Sequence, residues 1–149
     1  MSNQELTDIL YAAYLHDIGK VGINRSIITK AGNLTEKEYE RIKRHPTFSE
    51  EILSQIDRLD NVAKIAGQHH ERYDGSGYPR GLEGEQIKLS ARIIAVVDAW
   101  DAMTTDRPYQ RALSKEDAIK ELKKSRGSQF DPQVVEEFLP VIKARNTTS

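Results

Sequence analysis

The chain has 149 residues, no cysteine and a formal net charge of −1, with 38% hydrophobic and 30% charged residues. This length predicts one domain with a sizeable core, and the missing cysteines exclude disulfides and thiolate metal sites. A pI near 6.4 and the lack of an apolar run of ~20 residues argue against a nucleic-acid polymer or a membrane as partner. Because MSNQELTDIL lacks the pattern of a signal peptide and the chain has no cysteine, a cytoplasmic protein is expected.

The first predicted element is a largely buried helix in LTDILYAAYLH, whose apolar residues recur at three- and four-residue spacings before a glycine break. A second helix, TEKEYERIKR, opens on Thr35 with Glu38 three residues later, which is a capping-box pattern. Thr47 and Glu50 repeat this pattern in TFSEEILSQI, which predicts a third helix after the break at Pro46.

The second half of the chain continues the helical pattern. NVAKIAGQHHERY predicts a helix to about Tyr73, and DGSGYPRGLEGEQ after it is a loop by composition. LSARIIAVVDAWDAMTT is apolar nearly all round, which predicts a central buried helix. Ser114 with Asp117 begins the helix KEDAIKELKKS, and Asp131 caps DPQVVEEFLPVIKA with Pro132 at its first position. The expected fold is an all-α helical bundle with short connections.

His16 and Asp17, in YLHDIGKVG, follow an apolar helical run and precede a glycine. An ionised aspartate that leaves water is costly there unless it is paired, hydrogen-bonded or bound to a cation. The alternative is a histidine that the helix dipole favours at a C-terminus, with Asp17 solvated in a turn.

His69 and His70 are adjacent, and neighbouring residues on a helix point about 100° apart. Both can reach one metal cluster that lies against that helix face, or each can bind a different ion. The alternative is a core histidine beside a surface histidine. His45, just before Pro46, would by itself be a loop histidine.

Asp98 lies in IIAVVDAWDAM, where a carboxylate surrounded by apolar side chains should not stay ionised without a partner. Asp101 is expected to be exposed or to cap. Together the four histidines and two aspartates offer nitrogen and oxygen ligands, which suit two or more divalent transition metals such as iron, manganese, zinc or nickel. A two-metal cluster can activate water and clamp phosphate oxygens. Lys20 and Arg107 could face that phosphate, although most lysines and arginines are solvated surface charges.

Four motifs in this order resemble the HD-GYP domain, a branch of the HD metal-dependent phosphohydrolases: HDIGK (16–20), RHP (44–46), HHERYDGSGYP (69–79) and VVDAWDAMTTDRPY (96–109). QFDPQVVEEF (129–138) is similar to that family's closing helix, and the match runs from about Leu15 to Leu139. The resemblance implies an all-α fold, a bi- or trinuclear metal centre and hydrolysis of cyclic di-GMP to pGpG and GMP.

The resemblance also implies roles for individual residues. Asp17 would bridge two metals and act in catalysis with Lys20. Lys20 and Arg107 would face phosphate oxygens. The loop of Gly77, Tyr78 and Pro79 would contact substrate and partner domains. The expected cofactor is two divalent transition-metal ions, iron or manganese, with one or three ions as alternatives. The implied metal ligands are His16, Asp17, His45, His69, His70 and Asp98.

One departure from the family concerns the start of the chain. The family has an upstream helix that supplies a further histidine, whereas the 15 residues before His16 contain none. The chain is therefore expected to be a single HD-GYP-like domain, 1–149, without the family's first helix or helices. The absence of that helix would leave one metal under-coordinated and some apolar surface uncovered.

Two alternatives to the cyclic di-GMP phosphodiesterase follow. The first is a catalytically impaired HD-GYP module that serves protein interaction and signalling, with a regulatory or sensor domain or a signalling protein as its partner. The second is an HD phosphohydrolase of other nucleotides, against which the GYP loop argues. The sequence predicts no oligomeric state.

Overall fold

The computed structural model describes residues 1–106 and 111–144, and this part of the chain folds into eight α-helices without a β-strand. Two short 3-10 turns accompany them, Ile18–Gly22 after the first helix and Gly84–Gln86 before the sixth. The predicted all-α class is confirmed. The helices are α1 (Asn3–Leu15), α2 (Arg25–Ile28), α3 (Glu36–Ile42), α4 (His45–Leu53), α5 (Asp60–Gln68), α6 (Leu89–Thr104), α7 (Lys115–Lys124) and α8 (Pro132–Ala144).

Helix α1 is present as predicted, but the expectation that it is largely buried is wrong. Leu6 and Leu10 are each more than half exposed, and Asp8 and Ala12 are the residues that the helix buries. Only one face of α1 packs, chiefly against α5 and α6. Asp8 fixes this face because its carboxylate accepts hydrogen bonds from the Gln4 and Asn61 amides.

The two predicted capping boxes have different outcomes. Thr35 accepts a hydrogen bond from the Glu38 backbone N–H, and the Glu38 carboxylate accepts one from the Thr35 backbone, so the first is confirmed. Helix α4 instead begins at His45, before the predicted start, and Thr47 does not cap it. Pro46 is compatible with this earlier start because the first helical turn needs no N–H from it.

Helix α5 ends at Gln68, so the prediction that it runs to about Tyr73 is wrong. The chain leaves the helix at His69 and enters the predicted loop. Tyr73 then donates its backbone N–H to Gln129 O, in the segment between α7 and α8. A tertiary contact therefore overrides a local pattern that would have continued the helix.

The last three helices begin as predicted. Ser114 Oγ accepts from the Asp117 backbone at the start of α7, and Asp131 Oδ1 accepts from Gln133 at the start of α8. Helix α6 is not buried all round, however, since Leu89 and Val97 are 47% and 44% exposed. The apolar residues of α6 therefore lie on more faces of the helix than the neighbouring helices cover.

The helices form two apolar cores that share α6. Leu53, Val62 and Ile65 belong to the first core, with parts of α1, α4, α5 and α6. Leu122 and Val135 belong to the second, between α6, α7 and α8. None of the helices described here has the length and apolar character that crossing a membrane requires.

Candidate metal centre

Five of the six predicted ligands come together where several helices end or begin. His16 and Asp17 follow α1, His45 opens α4, and His69 and His70 follow α5. The imidazole rings are close neighbours: the ring centroids of His69 and His70 are 4.1 Å apart, and those of His16 and His69 are 4.8 Å apart. Residues that are distant in the chain thus form one cluster of nitrogen and oxygen donors.

Three of these imidazoles are oriented in the same way, by the backbone carbonyl three residues earlier. Each carbonyl lies in the last turn of a helix, where backbone oxygens lack an intrahelical donor. Because a carbonyl only accepts, Nδ1 of each ring carries the proton and Nε2 keeps its lone pair. This is the tautomer that binds a metal through Nε2. The pairs are His16 Nδ1 with Ala13 O at 2.9 Å, His45 Nδ1 with Ile42 O at 2.7 Å, and His69 Nδ1 with Ala66 O at 2.6 Å.

The free ring nitrogens point at one another. His45 Nε2 lies 3.2 Å from His69 Nε2 and 3.2 Å from Asp17 Oδ1. With both Nδ1 atoms protonated, two lone pairs and a carboxylate oxygen would face each other, which is repulsive unless a cation lies among them. The helix C-termini add partial negative charge on the same side.

Asp17 is the carboxylate at the centre of this cluster. Its Oδ1 is buried and accepts no hydrogen bond from the described residues, whereas its Oδ2 lies 2.6 Å from Lys20 Nζ. Burial raises the pKa of Asp17, but the hydrogen bond and positive charge of Lys20 act against burial, and that pKa lies well below its usual range. Asp17 is therefore an anion with one unsatisfied oxygen, which is the environment of a metal ligand.

The adjacent histidines stay neutral. Burial, with the neighbouring His70 as the next cause, holds the pKa of His69 well below its usual value. Burial, followed by the effect of His45, lowers the pKa of His70 to about 4. The Tyr78 ring stacks on His70 with centroids 4.9 Å apart, which covers that imidazole. Neutral imidazoles are the form that binds metal.

The turn that carries His16 and Asp17 is held against α4. Gly19 N donates to Ser49 Oγ at 2.9 Å, and Ser49 Oγ donates to His16 O at 2.6 Å. A Cβ at Gly19 would lie 2.1 Å from His45 O, so only glycine allows this approach. The glycine after the HD pair therefore brings the first and second motifs together.

The GYP loop is held by a buried carboxylate. Glu71 is 4% exposed, and its two oxygens accept the backbone N–H groups of Arg80 and Leu82 at 2.7 and 3.0 Å. Gly77 lies so close to this segment that a Cβ there would be 2.2 Å from Arg72 N. The Tyr78–Pro79 peptide bond is cis. Glu71 was not among the predicted site residues, although it follows the histidine pair directly.

Asp98 differs from its prediction. Its side chain is 43% exposed, so it is not a carboxylate buried among apolar groups. Residue 98 lies on the face of α6 that borders an open pocket, and Asp98 Oδ1 is 3.9 Å from His16 Nε2. It stands at the edge of the cluster. Asp101 is exposed, as expected. Arg107 lies outside the described residues.

The residues present fit divalent cations. Two groups of three, His45 with His69 and His70, and His16 with Asp17 and His69, each place their ligand atoms within 4.8 Å of one another. The groups share His69. The nearby carboxylates Glu5 and Asp8 are engaged elsewhere, in the Ser2 capping box and with Gln4 and Asn61.

A pocket of about 560 Å³ opens beside this cluster, within the range of small-molecule sites. His70, Tyr78 and Asp98 line it near the cluster, and residues of α6 and α7 line its far part. The polar side chains at that far part were not predicted as site residues, because two of them lie in an ordinary amphipathic helix and its end, and the third opens QFDPQVVEEF, which was interpreted as a closing helix. They are Glu121, Ser125 and Gln129.

The sequence matches a known protein family. The family described as HD domain matches residues 1–134, which is most of the chain. A crystal structure of a cyclic GMP-AMP specific phosphodiesterase from Vibrio cholerae superposes with a TM-score of 0.74 at 21% identity, covering 96% of this chain and 39% of that one. At that identity the likeness concerns the fold.

Curated relatives are more similar in sequence. A cyclic di-GMP phosphodiesterase of Thermotoga maritima is 46% identical over 145 residues, 96% of this chain and 39% of the relative. The cyclic di-GMP phosphodiesterase response regulator RpfG of Xanthomonas campestris pv. campestris is 48% identical, over 93% of this chain and 37% of the relative. A 3'3'-cGAMP-specific phosphodiesterase of Vibrio cholerae is 39% identical, over 82% and 26%. The chain thus spans well under half the length of these relatives.

Proposed function

The chain belongs to the HD domain family, and from this premise we propose that it is a metal-dependent phosphodiesterase of cyclic dinucleotides, with cyclic di-GMP as its substrate. The strongest support is the buried, unsatisfied Asp17 Oδ1 among the converging imidazoles. The pocket beside them is large enough for a nucleotide. Relatives named as cyclic di-GMP phosphodiesterases are 46% and 48% identical to this chain.

The proposed ligands divide between two cations. His45, His69 and His70 would hold one, and His16 and Asp17 would hold the other with the shared His69 beside them, while Asp98 lies at the edge. Iron and manganese suit these nitrogen and oxygen donors. When bound, such ions polarise phosphate oxygens and lower the pKa of water.

The remaining side chains have roles that follow from their positions. Asp17 stays ionised and keeps Lys20 beside the cluster, where the ammonium group is in place to neutralise charge on a phosphate. Tyr78 covers one face of His70 and limits water access to it. Glu71 holds the loop that carries Gly77, Tyr78 and Pro79 along the pocket. A phosphate contact from Arg107 remains a prediction from the sequence.

A second candidate substrate is 3'3'-cGAMP. It is supported by the 39% identical Vibrio cholerae relative that is named as specific for it. This dinucleotide has the same phosphodiester ring but carries one adenine in place of a guanine. Selectivity between cyclic di-GMP and 3'3'-cGAMP therefore depends on the part of the pocket that contacts a base.

The proposal is tested by activity and elemental analysis of manganese-loaded or iron-loaded protein. We expect conversion of cyclic di-GMP to pGpG. In Asp17→Asn the rate should fall at least ~100-fold, because one anionic ligand is lost. Asp57→Asn, at an exposed position outside the cluster, is the matched control and should retain full activity.

Folded, metal-loaded protein that leaves both cyclic di-GMP and 3'3'-cGAMP intact would contradict the proposal. If such protein also held one metal ion or fewer per chain, an interaction module would be the better account. Cleavage of other nucleotides in its place would favour a general phosphohydrolase.

A further inference from the structure

The pocket continues past the metal centre into a region between α6 and α7 that the proposed chemistry does not use. We refer to this region as the α7 recess. Small side chains of α6 form one side, and α7 with the segment after it forms the other. The recess is lined by Ala99, Ala102, Met103, Glu121, Gln129 and Phe130.

The part of the recess formed by α6 and Phe130 is apolar. Ala99 and Ala102 are three residues apart on α6 and so lie on one face of the helix, where their single methyl groups leave room. Met103 and Phe130 supply larger apolar surfaces, and Phe130 is itself 4% exposed and fixed in the second core. Such a slot suits a planar aromatic ring, because bases bind by stacking on apolar and aromatic side chains.

Glu121 places a carboxylate on the wall of this slot. Its side chain is about half exposed, and its contacts are long: Oε2 is 3.8 Å from Lys124 Nζ, and Oε1 is 3.5 Å from Ser125 Oγ. Both oxygens therefore keep acceptor capacity. A negative charge in the pocket of an anionic substrate weakens binding unless it meets a hydrogen-bond donor of that substrate.

Gln129 lies on the same wall. Its backbone carbonyl accepts from Tyr73 N at 3.2 Å, which fixes its position against the loop after α5. Within the described residues its side-chain amide forms no hydrogen bond, so a donor and an acceptor remain available to a ligand.

We propose that the α7 recess binds a guanine base of the substrate and that Glu121 is its specificity-determining residue, an inference that rests on the proposed function. The Watson–Crick edge of guanine carries two adjacent donors, N1–H and the N2 amino group, which match the two oxygens of a carboxylate. Adenine presents the lone pair of N1 at the same place, which repels a carboxylate. The amide of Gln129 can donate to guanine O6.

The test compares Glu121→Gln with the parent protein on cyclic di-GMP, cyclic di-AMP and bis(p-nitrophenyl) phosphate, a diester without a base. We expect the preference in kcat/KM for cyclic di-GMP over cyclic di-AMP to fall about tenfold in Glu121→Gln, the size of one bidentate base contact. Hydrolysis of bis(p-nitrophenyl) phosphate should not change. Glu116→Gln, on the same helix but outside the pocket, should behave as the parent.

An unchanged preference in Glu121→Gln would overturn the inference, and so would an equal loss on all three substrates. A second measurement does not depend on hydrolysis: titration of metal-loaded protein with GMP and with AMP. We expect GMP to bind about tenfold more tightly than AMP to the parent and within about twofold of AMP to Glu121→Gln. If no cyclic dinucleotide is cleaved, the proposed function fails, and this titration still decides the inference. Equal binding of GMP and AMP to the parent would overturn it.

Discussion

His70 is held differently from the other three histidines. It lacks the hydrogen bond to a carbonyl three residues earlier that orients their rings, and it packs against Tyr78 with an interplanar angle of 27°. Burial lowers its pKa to about 4. An ordinary histidine side chain titrates near 6.5. His70 therefore keeps its metal-binding form in mildly acidic solution, where an exposed histidine would be protonated.

This difference predicts a pH dependence of the metal-free protein. Between about pH 6.5 and 4 the unfolded chain binds a proton at His70 that the folded chain does not, so stability falls as the pH falls. His69 acts in the same direction. In chelator, we expect His70 alone to lower the free energy of unfolding by about 2–3 kcal/mol from pH 7 to 4.5, with a further loss from His69, measured by urea titration. Asp17 adds a loss only below about pH 4, since its pKa is depressed.

The variant His70→Gln provides the control for this pH dependence. Its stability should change less over the same pH interval, because one of the two depressed imidazoles is gone. If the free energy of unfolding changed equally with pH in His70→Gln and in the parent protein, His70 would not have the lowered pKa.

The grouping in space of five of the six candidate residues is the part of the site that the sequence predicted best. The HD pair and the histidine pair are visible as motifs, and their convergence is what the resemblance implies. Burial was predicted less well: Asp98 stands in an apolar sequence yet faces the pocket. Glu71, and Glu121 in its proposed role, were not among the predicted residues, because a glutamate beside a histidine or within KEDAIKELKKS has no local pattern that separates it from a surface charge.

At the scale of an element, Ser49 joins α4 to the turn after α1. Its side chain is fully buried, accepts from Gly19 N and donates to His16 O. This hydroxyl holds the turn that presents Asp17 to the cluster. The hydroxyl is small, but both of its hydrogen-bond partners are backbone groups that have few alternative partners.

Ser49→Ala should therefore affect both stability and the metal centre. We expect a loss of about 1–3 kcal/mol in unfolding free energy, since a buried N–H loses its acceptor, and about tenfold weaker metal binding. Chemical denaturation and metal competition titrations measure the two effects. Ser54→Ala, in which an exposed hydroxyl at the C-terminal end of the same helix is removed, should change neither by much. A stability loss without weaker metal binding would contradict the positioning role.

Glu71 is the corresponding anchor of the GYP loop. In Glu71→Gln one oxygen becomes an NH₂ group that faces a backbone N–H, so one of the two hydrogen bonds to Arg80 and Leu82 is lost. We expect a loss of about 1–3 kcal/mol and faster amide hydrogen exchange at residues 80 and 82. Glu85→Gln, at an exposed position nearby, is the control. Unchanged exchange in Glu71→Gln would argue that the loop is held by other contacts.

The whole molecule depends on α6, which contributes to both apolar cores. Ile94 faces the first core and Val96 the second. Helix order and type were largely predictable from the sequence because capping residues and helical periodicity are local. Helix ends and burial were not, since the end of α5 and the exposed faces of α1 and α6 depend on which helices pack against them.

A shared helix should make the two cores unfold together. Leu53→Ala in the first core and Leu122→Ala in the second should each cost about 2–5 kcal/mol and shift one common transition. Leu6→Ala, at a side chain that is 53% exposed, should cost less than about 0.5 kcal/mol. Two separate transitions in thermal unfolding monitored by circular dichroism and by Trp100 fluorescence would contradict this expectation.

The carbonyl groups that orient the imidazoles at positions 16, 45 and 69 belong to the main chain, and this affects how the protein can evolve. Point substitutions at positions 13, 42 and 66 leave a backbone carbonyl in place, so a change of side chain there does not remove the hydrogen bond that orients a ring. An insertion or deletion in the last turn of the same helices has no such tolerance, because it changes which oxygen each ring meets. The three-residue separation between each carbonyl and its histidine is thus under tighter constraint than the identity of the residues in between.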